Sequence, residues 1–178
     1  MDSINKQQEE ENYADLYDQE ALKKLKELCE KKTCFFCTGI GGAFPFKARP
    51  MSVQQIDEQG RLWCLSAADS HKNSEIMNDP RVQLLFQGSA HSDFVMLSGY
   101  AVVNKDKARI KELWEPILKT WFTEGIDDPR ITVIKITPDD GYYWDTKHGT
   151  FVAFVKQLVG ATLGKTLDDS IEGRIFPG

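Results

Sequence analysis

Apolar positions fall at helical spacing in a few stretches and at strand spacing in many. From Asp18 the chain sets Leu22, Leu25, Leu28 and Cys29 on one side and Glu and Lys on the other. This predicts a helix that ends near Lys31 or Lys32, where basic residues suit a helix C-terminus. Asp106 to Phe122 repeats the spacing with Ile110, Leu113, Trp114, Ile117, Leu118 and Trp121, and Pro116 is expected to kink or split that helix. Shorter helices are expected from Ser70, turning Ile76 and Met77 inward and stopping before Pro80, and over Phe151 to Leu163. The remaining apolar runs are short, rich in aromatic and β-branched residues, and bounded by turn signals. They predict strands over Thr33–Ile40, Phe46–Ile56, Arg61–Ser66, Val82–Phe86, Phe94–Val103, Ile131–Thr137 and Tyr142–Asp145, with Pro138-Asp139-Asp140-Gly141 as a turn. Pro50 lacks an N–H for the ladder, so its strand is expected at an edge or a bulge. Many strands joined by short turns suggest an antiparallel barrel or sandwich, mainly β with flanking helices. Residues 1–17 read as a charged arm, 18–163 as one domain and 164–178 as a polar tail.

Composition narrows the partners. The chain has 178 residues and a formal net charge of −5. That balance argues against a broad nucleic-acid or acidic-membrane footprint, so any anion must be held locally by a few placed groups. No apolar run approaches the roughly 20 residues of a membrane span, and the polar start lacks the pattern of a signal peptide, so a cytoplasmic location is expected. The four cysteines are Cys29, Cys34, Cys37 and Cys64. Cys34 and Cys37 form a C-x-x-C, but strand spacing turns residues three apart to opposite faces, no second C-x-x-C follows, and His71, His91 and His148 are scattered. Buried free thiols and no metal site are expected. Dinucleotide, P-loop and nucleophile-elbow fingerprints are missing.

The densest chemistry lies between Arg49 and Lys72. Arg49-Pro50-Met51-Ser52-Val53, a turn at Gly60, and Arg61-Leu62-Trp63-Cys64-Leu65-Ser66 read as a hairpin that delivers the chain to a helix start at Ser70-His71-Lys72. Ser70 suits an N-cap, and the free amides and positive dipole end of a helix start favour an anion. Arg49 offers a planar fork and Lys72 a point charge for phosphate oxygens. A cap and a solvated first-turn lysine are the plainer alternative for the same residues.

The ordered set of Arg49-Pro50-Met51-Ser52-Val53, Leu62-Trp63-Cys64-Leu65-Ser66, Ser70-His71-Lys72, Trp121-Phe122, Gly125-Ile126-Asp127-Asp128-Pro129 and Tyr143-Trp144-Asp145 resembles the pyridoxamine 5'-phosphate oxidase-related superfamily. Within it, the general stress protein 26-like branch is the nearest match. The resemblance implies an FMN-binding split barrel, a six- to seven-stranded antiparallel Greek-key barrel, and a homodimer with two flavin sites at the subunit interface. Carried over by position, it implies that Arg49 meets the FMN phosphate or ribityl chain. The resemblance also implies that the backbone around Met51 and Ser52, with Leu65 and Ser66, would run along the isoalloxazine ring, that Ser70, His71 and Lys72 would hold the phosphate, and that Trp144 would reach the flavin of the partner subunit. Trp114, Trp121 and Phe122 read as core or dimer contacts.

After Trp144 the vitamin B6 oxidases carry an Arg- and His-bearing substrate segment, whereas this chain reads Asp145-Thr146-Lys147-His148-Gly149-Thr150. Pyridoxamine phosphate oxidation is therefore not expected, and no catalytic acid or base is assigned. Three readings remain: an FMN-dependent oxidoreductase acting on a reduced nicotinamide or small organic substrate; a flavin-storing or flavin-sensing stress protein; and a relative that takes a deazaflavin or haem.

Overall fold

The computed structural model describes residues 12–42, 45–89, 93–146 and 169–176. The first helix, α1, spans Asp18–Cys29 and buries Leu22, Leu25, Leu28 and Cys29 as the spacing predicts, with Asp18 and Glu20 in its first turn and Lys26 in its last. It follows β1 (Leu16–Tyr17) and leads into β2 (Thr33–Thr38), β3 (Lys47–Ser52), β4 (Gln55–Ile56) and β5 (Leu62–Ala67). Next come α2 (His71–Asn78), β6 (Arg81–Gln87) and β7 (Phe94–Asn104), then α3 (Lys107–Leu113), β8 (Ile131–Thr146) and β9 (Ser170–Phe176).

The described strands form one nine-stranded sheet, more than the six or seven expected, because two two-residue strands and β9 join it. The hydrogen-bonded path runs β1-β9-β8-β7-β6-β2-β3, and β5 pairs with β8 beside the half of it that β9 leaves free. The sheet curls without closing: β3 and the part of β5 beyond its short pairing with β4 approach each other without forming a ladder. This is a split barrel. Its core gathers Leu25, Phe36, Leu84, Leu97, Ile136 and Tyr143, while a second, smaller cluster packs α3 and the following segment on the outside of β5 and β8. No described helix is long and apolar enough to cross a membrane.

Several expectations change. The expected hairpin forms only at its tip, where Gln55 and Ile56 of β4 pair with β5, whereas β3 pairs with β2 at the sheet edge, which suits Pro50. Gly60, at φ +71°, makes the β4–β5 turn. The expected turn at Pro138–Gly141 is a bulge inside the 16-residue strand β8. Gly99 faces Pro138 and Ser98 faces Asp140, so Asp139 is the extra residue and the proline sits where the ladder is already interrupted. Gly99 allows this approach, since a Cβ there would lie 2.3 Å from the Thr137 carbonyl oxygen.

The long helix expected to Phe122 ends at Leu113, and a 3-10 turn over Pro116–Thr120 replaces its second half. Residues read as a polar tail include β9, whose Ile175 is buried and which pairs with β8. Part of the expected N-terminal arm is also tied down: β1 pairs with β9, and Ala14 donates to the Glu172 carbonyl at 2.9 Å. The helix expected over residues 151–163 lies outside the described residues. All four cysteines are free and buried. Burial raises every one of these thiols, Cys34 to about 12, so they are inert core groups.

Candidate functional site

The gap between β3 and β5 is a cleft of about 660 Å3. Pro50, Met51 and Ser52 of β3 line one side and Leu65, Ser66 and Ala67 of β5 the other. Leu118, Trp121 and Phe122 add an apolar wall, Gln54 and Thr33 add polar groups, and Ser70 and Lys72 close one end at the start of α2. Six of the nine residues predicted from sequence therefore share one cavity: Met51, Ser52, Leu65, Ser66, Ser70 and Lys72.

The start of α2 departs from simple capping. Ser70 holds the N-cap position in extended conformation, yet its hydroxyl makes no cap hydrogen bond. It accepts instead from Lys72 Nζ at 3.2 Å. Lys72 is half-buried at the cleft, and among the described residues it has no carboxylate partner. Burial first, and the charge of Arg49 second, lower its pKa below the ordinary lysine value. Such an ammonium gains most from an anion placed in the cleft.

Arg49 lies beside this end rather than in the cavity lining. Its Nη1 and Nη2 donate to Glu75 Oε2 and Oε1 at 2.6 and 3.2 Å, and Nη1 also donates to Thr38 Oγ1 at 3.2 Å. Glu75 further accepts from Thr38 Oγ1 at 2.6 Å and Lys47 Nζ at 2.9 Å. The hydrogen bonds from Arg49, followed by those from Thr38 and Lys47, hold the Glu75 carboxyl at about 2, well below its ordinary range. His71, at the first position of α2, is exposed and outside the cavity lining. Trp144 sits on the far half of β8, 40% exposed, with its ring 4.6 Å from that of Tyr142.

Sequence reasoning missed the residue that locks this turn in place. Asn73 is 2% exposed; its Nδ2 donates to the Ala67 carbonyl at 3.0 Å and to Thr132 Oγ1 at 2.9 Å. Its Oδ1 accepts from Ser66 Oγ at 2.9 Å, and Thr132 Oγ1 donates back to the Ser66 carbonyl at 2.8 Å. The network ties α2 to β5 and β8 beneath the cleft. No local pattern marks Asn73, because its role depends on how α2 packs against β5 and β8. Gln54, buried at 8% exposure and lining the cleft, was missed as well.

A second hollow of about 360 Å3 adjoins the first, sharing Thr33 and Pro50 with it. It lies along an outward row that runs by strand register from Pro50 through Phe35, Leu85 and Met96 to Tyr142. Phe35 is 61% exposed there.

The family model for pyridoxamine 5'-phosphate oxidase-like proteins matches residues 20–168. The chain belongs to the pyridoxamine 5'-phosphate oxidase-like family. Within that family it is similar to general stress protein 26 of Bacillus subtilis, 31% identical over 82 residues, a stretch that covers 44% of this chain and 58% of the relative. The chain spans about half the length of the curated relatives it matches. Solved structures of family-like fold cover more. A general stress protein 26 from Jannaschia matches 86% of this chain and 94% of its own at a TM-score of 0.69 and 20% identity. The general stress FMN/FAD binding protein of Xanthomonas citri matches 68% of this chain and 84% of its own at a TM-score of 0.58 and 24% identity. At these identities the solved structures speak for the fold.

Proposed function

We propose that the cleft between β3 and β5 binds FMN and that the protein is a flavin-dependent oxidoreductase of the general stress protein type. The observation that carries this reading is Lys72: a half-buried ammonium, without a carboxylate partner among the described residues, at one end of a largely apolar cleft. A ligand with a flat apolar body and a phosphate tail satisfies both parts of that site, and the Xanthomonas citri relative is described as FMN/FAD binding. Lys72 and Ser70 hold the phosphate, with the Arg49 charge nearby. The β3 and β5 segments at Met51–Ser52 and Leu65–Ser66 flank the ring, and Leu118, Trp121 and Phe122 exclude water from it. Bound there, FMN supplies the redox chemistry that side chains lack, and the protein supplies binding, orientation and electrostatics.

A homodimer completes this reading. The row from Pro50 to Tyr142 is an exposed apolar face continuous with the cleft, and a second copy set against it brings Trp144 of one chain toward the flavin site of the other. The electron donor proposed is a reduced nicotinamide or small organic molecule, in the cytoplasm. A second reading has its own support. Lys72 is the sole ionisable residue among the described cleft-lining residues, so the cleft offers little acid–base machinery, which favours flavin storage or sensing without turnover.

The test is a visible absorption spectrum of the purified protein before and after adding FMN, followed by oxidation assays with NADH and NADPH. Flavin bands with quenched flavin fluorescence support the cofactor, and nicotinamide oxidation separates the enzyme from the store. A protein that takes up no FMN at micromolar concentration refutes the reading.

A further inference from the structure

A guanidinium has two edges that can grip an oxyanion with paired N–H groups: the end-on edge of Nη1 and Nη2, and the side-on edge of Nε and Nη2. In Arg49 the end-on edge is taken by both carboxylate oxygens of Glu75, and the remaining Nη1 hydrogen points to Thr38 Oγ1. Among the described residues nothing accepts from Nε, so the side-on edge stays open. Glu75 follows Lys72 by three positions on α2, one turn along the same helix face, so the clamp sets Arg49 beside the Lys72 ammonium. The lowered pKa of Lys72, to which the Arg49 charge contributes, agrees with that closeness.

We infer that Glu75 is a positioning residue: it fixes Arg49 by its end-on edge so that the side-on edge faces a phosphate monoester held by Lys72. The inference deepens the FMN reading and rests on it. Glu75 is itself well placed for the task. It accepts four hydrogen bonds, from Arg49 twice, Thr38 and Lys47, and stays ionised far into acid. A carboxylate that instead competed with the phosphate for Arg49 would weaken binding. The two roles predict opposite signs, which makes the residue decisive to test.

The experiment is a set of fluorescence titrations with FMN and with riboflavin, which lacks the phosphate, on the full chain, on Glu75→Gln and on Thr38→Val. The expected result is an FMN affinity about tenfold lower in Glu75→Gln, the scale of one charge-assisted hydrogen bond, with riboflavin affinity unchanged. Thr38→Val, which removes one of the two holds on Arg49 without touching charge, should shift the ratio of the two affinities in the same direction by a smaller factor. A general loosening of the fold would weaken both ligands together and overturn the assignment. Equal or tighter FMN binding in Glu75→Gln also overturns it and makes Glu75 a competitor. If the unaltered protein itself binds FMN and riboflavin alike, the phosphate site fails, and the role of Glu75 fails with it.

Discussion

Lys72 is a residue whose contribution to ligand binding and to folding should carry opposite signs. Burial and the neighbouring Arg49 depress its pKa, so holding its charge costs the ligand-free protein stability at neutral pH. With the folded-state pKa below the unfolded one, the unfolded chain binds more protons in the window between them. Stability should therefore rise with pH as Lys72 loses its proton in the folded state. An FMN phosphate needs the ammonium form, so affinity should fall as pH rises through the lowered pKa, earlier than an ordinary lysine near 10.4 would cause. Lys72→Met should raise the melting temperature without ligand, weaken FMN binding about tenfold or more, and remove the alkaline fall in affinity. Melting curves and titrations at several pH values check this. A variant that is less stable and binds FMN as before would show that Lys72 is a structural residue only. The neighbouring His71 illustrates what charge and spacing alone could not decide. It shares the helix start, yet successive residues on a helix point about 100° apart, and the turn that brings Lys72 to the cleft leaves His71 exposed.

Among elements, what was legible followed from local pattern, and what was not depended on partners. The helix from Asp18, the strands β2, β5, β6 and β7, the edge position of Pro50 and the break at Pro116 are all written in spacing or in proline chemistry. The pairing of β3 with β2 instead of β5 is not, because nothing in Arg49–Ser52 specifies which edge it meets. Nor is the bulge in β8, where Pro138-Asp139-Asp140-Gly141 has turn composition and only Gly99 across the ladder makes a continuous strand possible. Strand β9 is short of apolar residues, with Ile171 and Ile175 alternating with Glu172 and Arg174 around Gly173, and β8 and β1 supply its ladder. The site followed the same division: charges and hydroxyls near α2 were visible, whereas the Asn73 network that fixes α2 against β5 and β8 was not. That network is fully satisfied, so breaking it should be costly. Asn73→Leu would remove the acceptor that Ser66 Oγ uses and the donor to Thr132 Oγ1, and a buried group left without its partner costs about 1–3 kcal/mol. Thermal denaturation should show that loss, and a Ser66→Ala/Asn73→Leu double mutant should lose less than the two single effects summed. Additive losses would mean that the two side chains do not work as a unit.

At the scale of the whole molecule, one face of the sheet is turned to the core, and the outer face carries an apolar row in which Pro50, Phe35 and Leu85 are exposed among the described residues. Antiparallel sheets commonly solvate their outer face with polar residues, yet strand register here aligns Pro50, Phe35, Leu85, Met96 and Tyr142 in a single outward row across five strands. The row runs beside the hollow that shares Thr33 and Pro50 with the cleft, so whatever covers the row also bounds the candidate site. A second copy of the chain is the occupant proposed, because the same face carries Trp144, which is 40% exposed and is not among the described residues that line the cleft of its own chain. Phe35 is the test position. At 61% exposure it contributes little to the core of one chain, so Phe35→Glu should leave the fold of the protomer intact while placing like charges against each other in a two-fold interface. Light scattering after size exclusion should then report a dimer for the unaltered protein and a monomer for Phe35→Glu, and FMN affinity should fall with dimer loss even though Phe35 is absent from the cleft lining. A Phe35→Glu protein that remains dimeric would move the interface to another face; one that is monomeric yet binds FMN with full affinity would show that each chain holds its flavin alone.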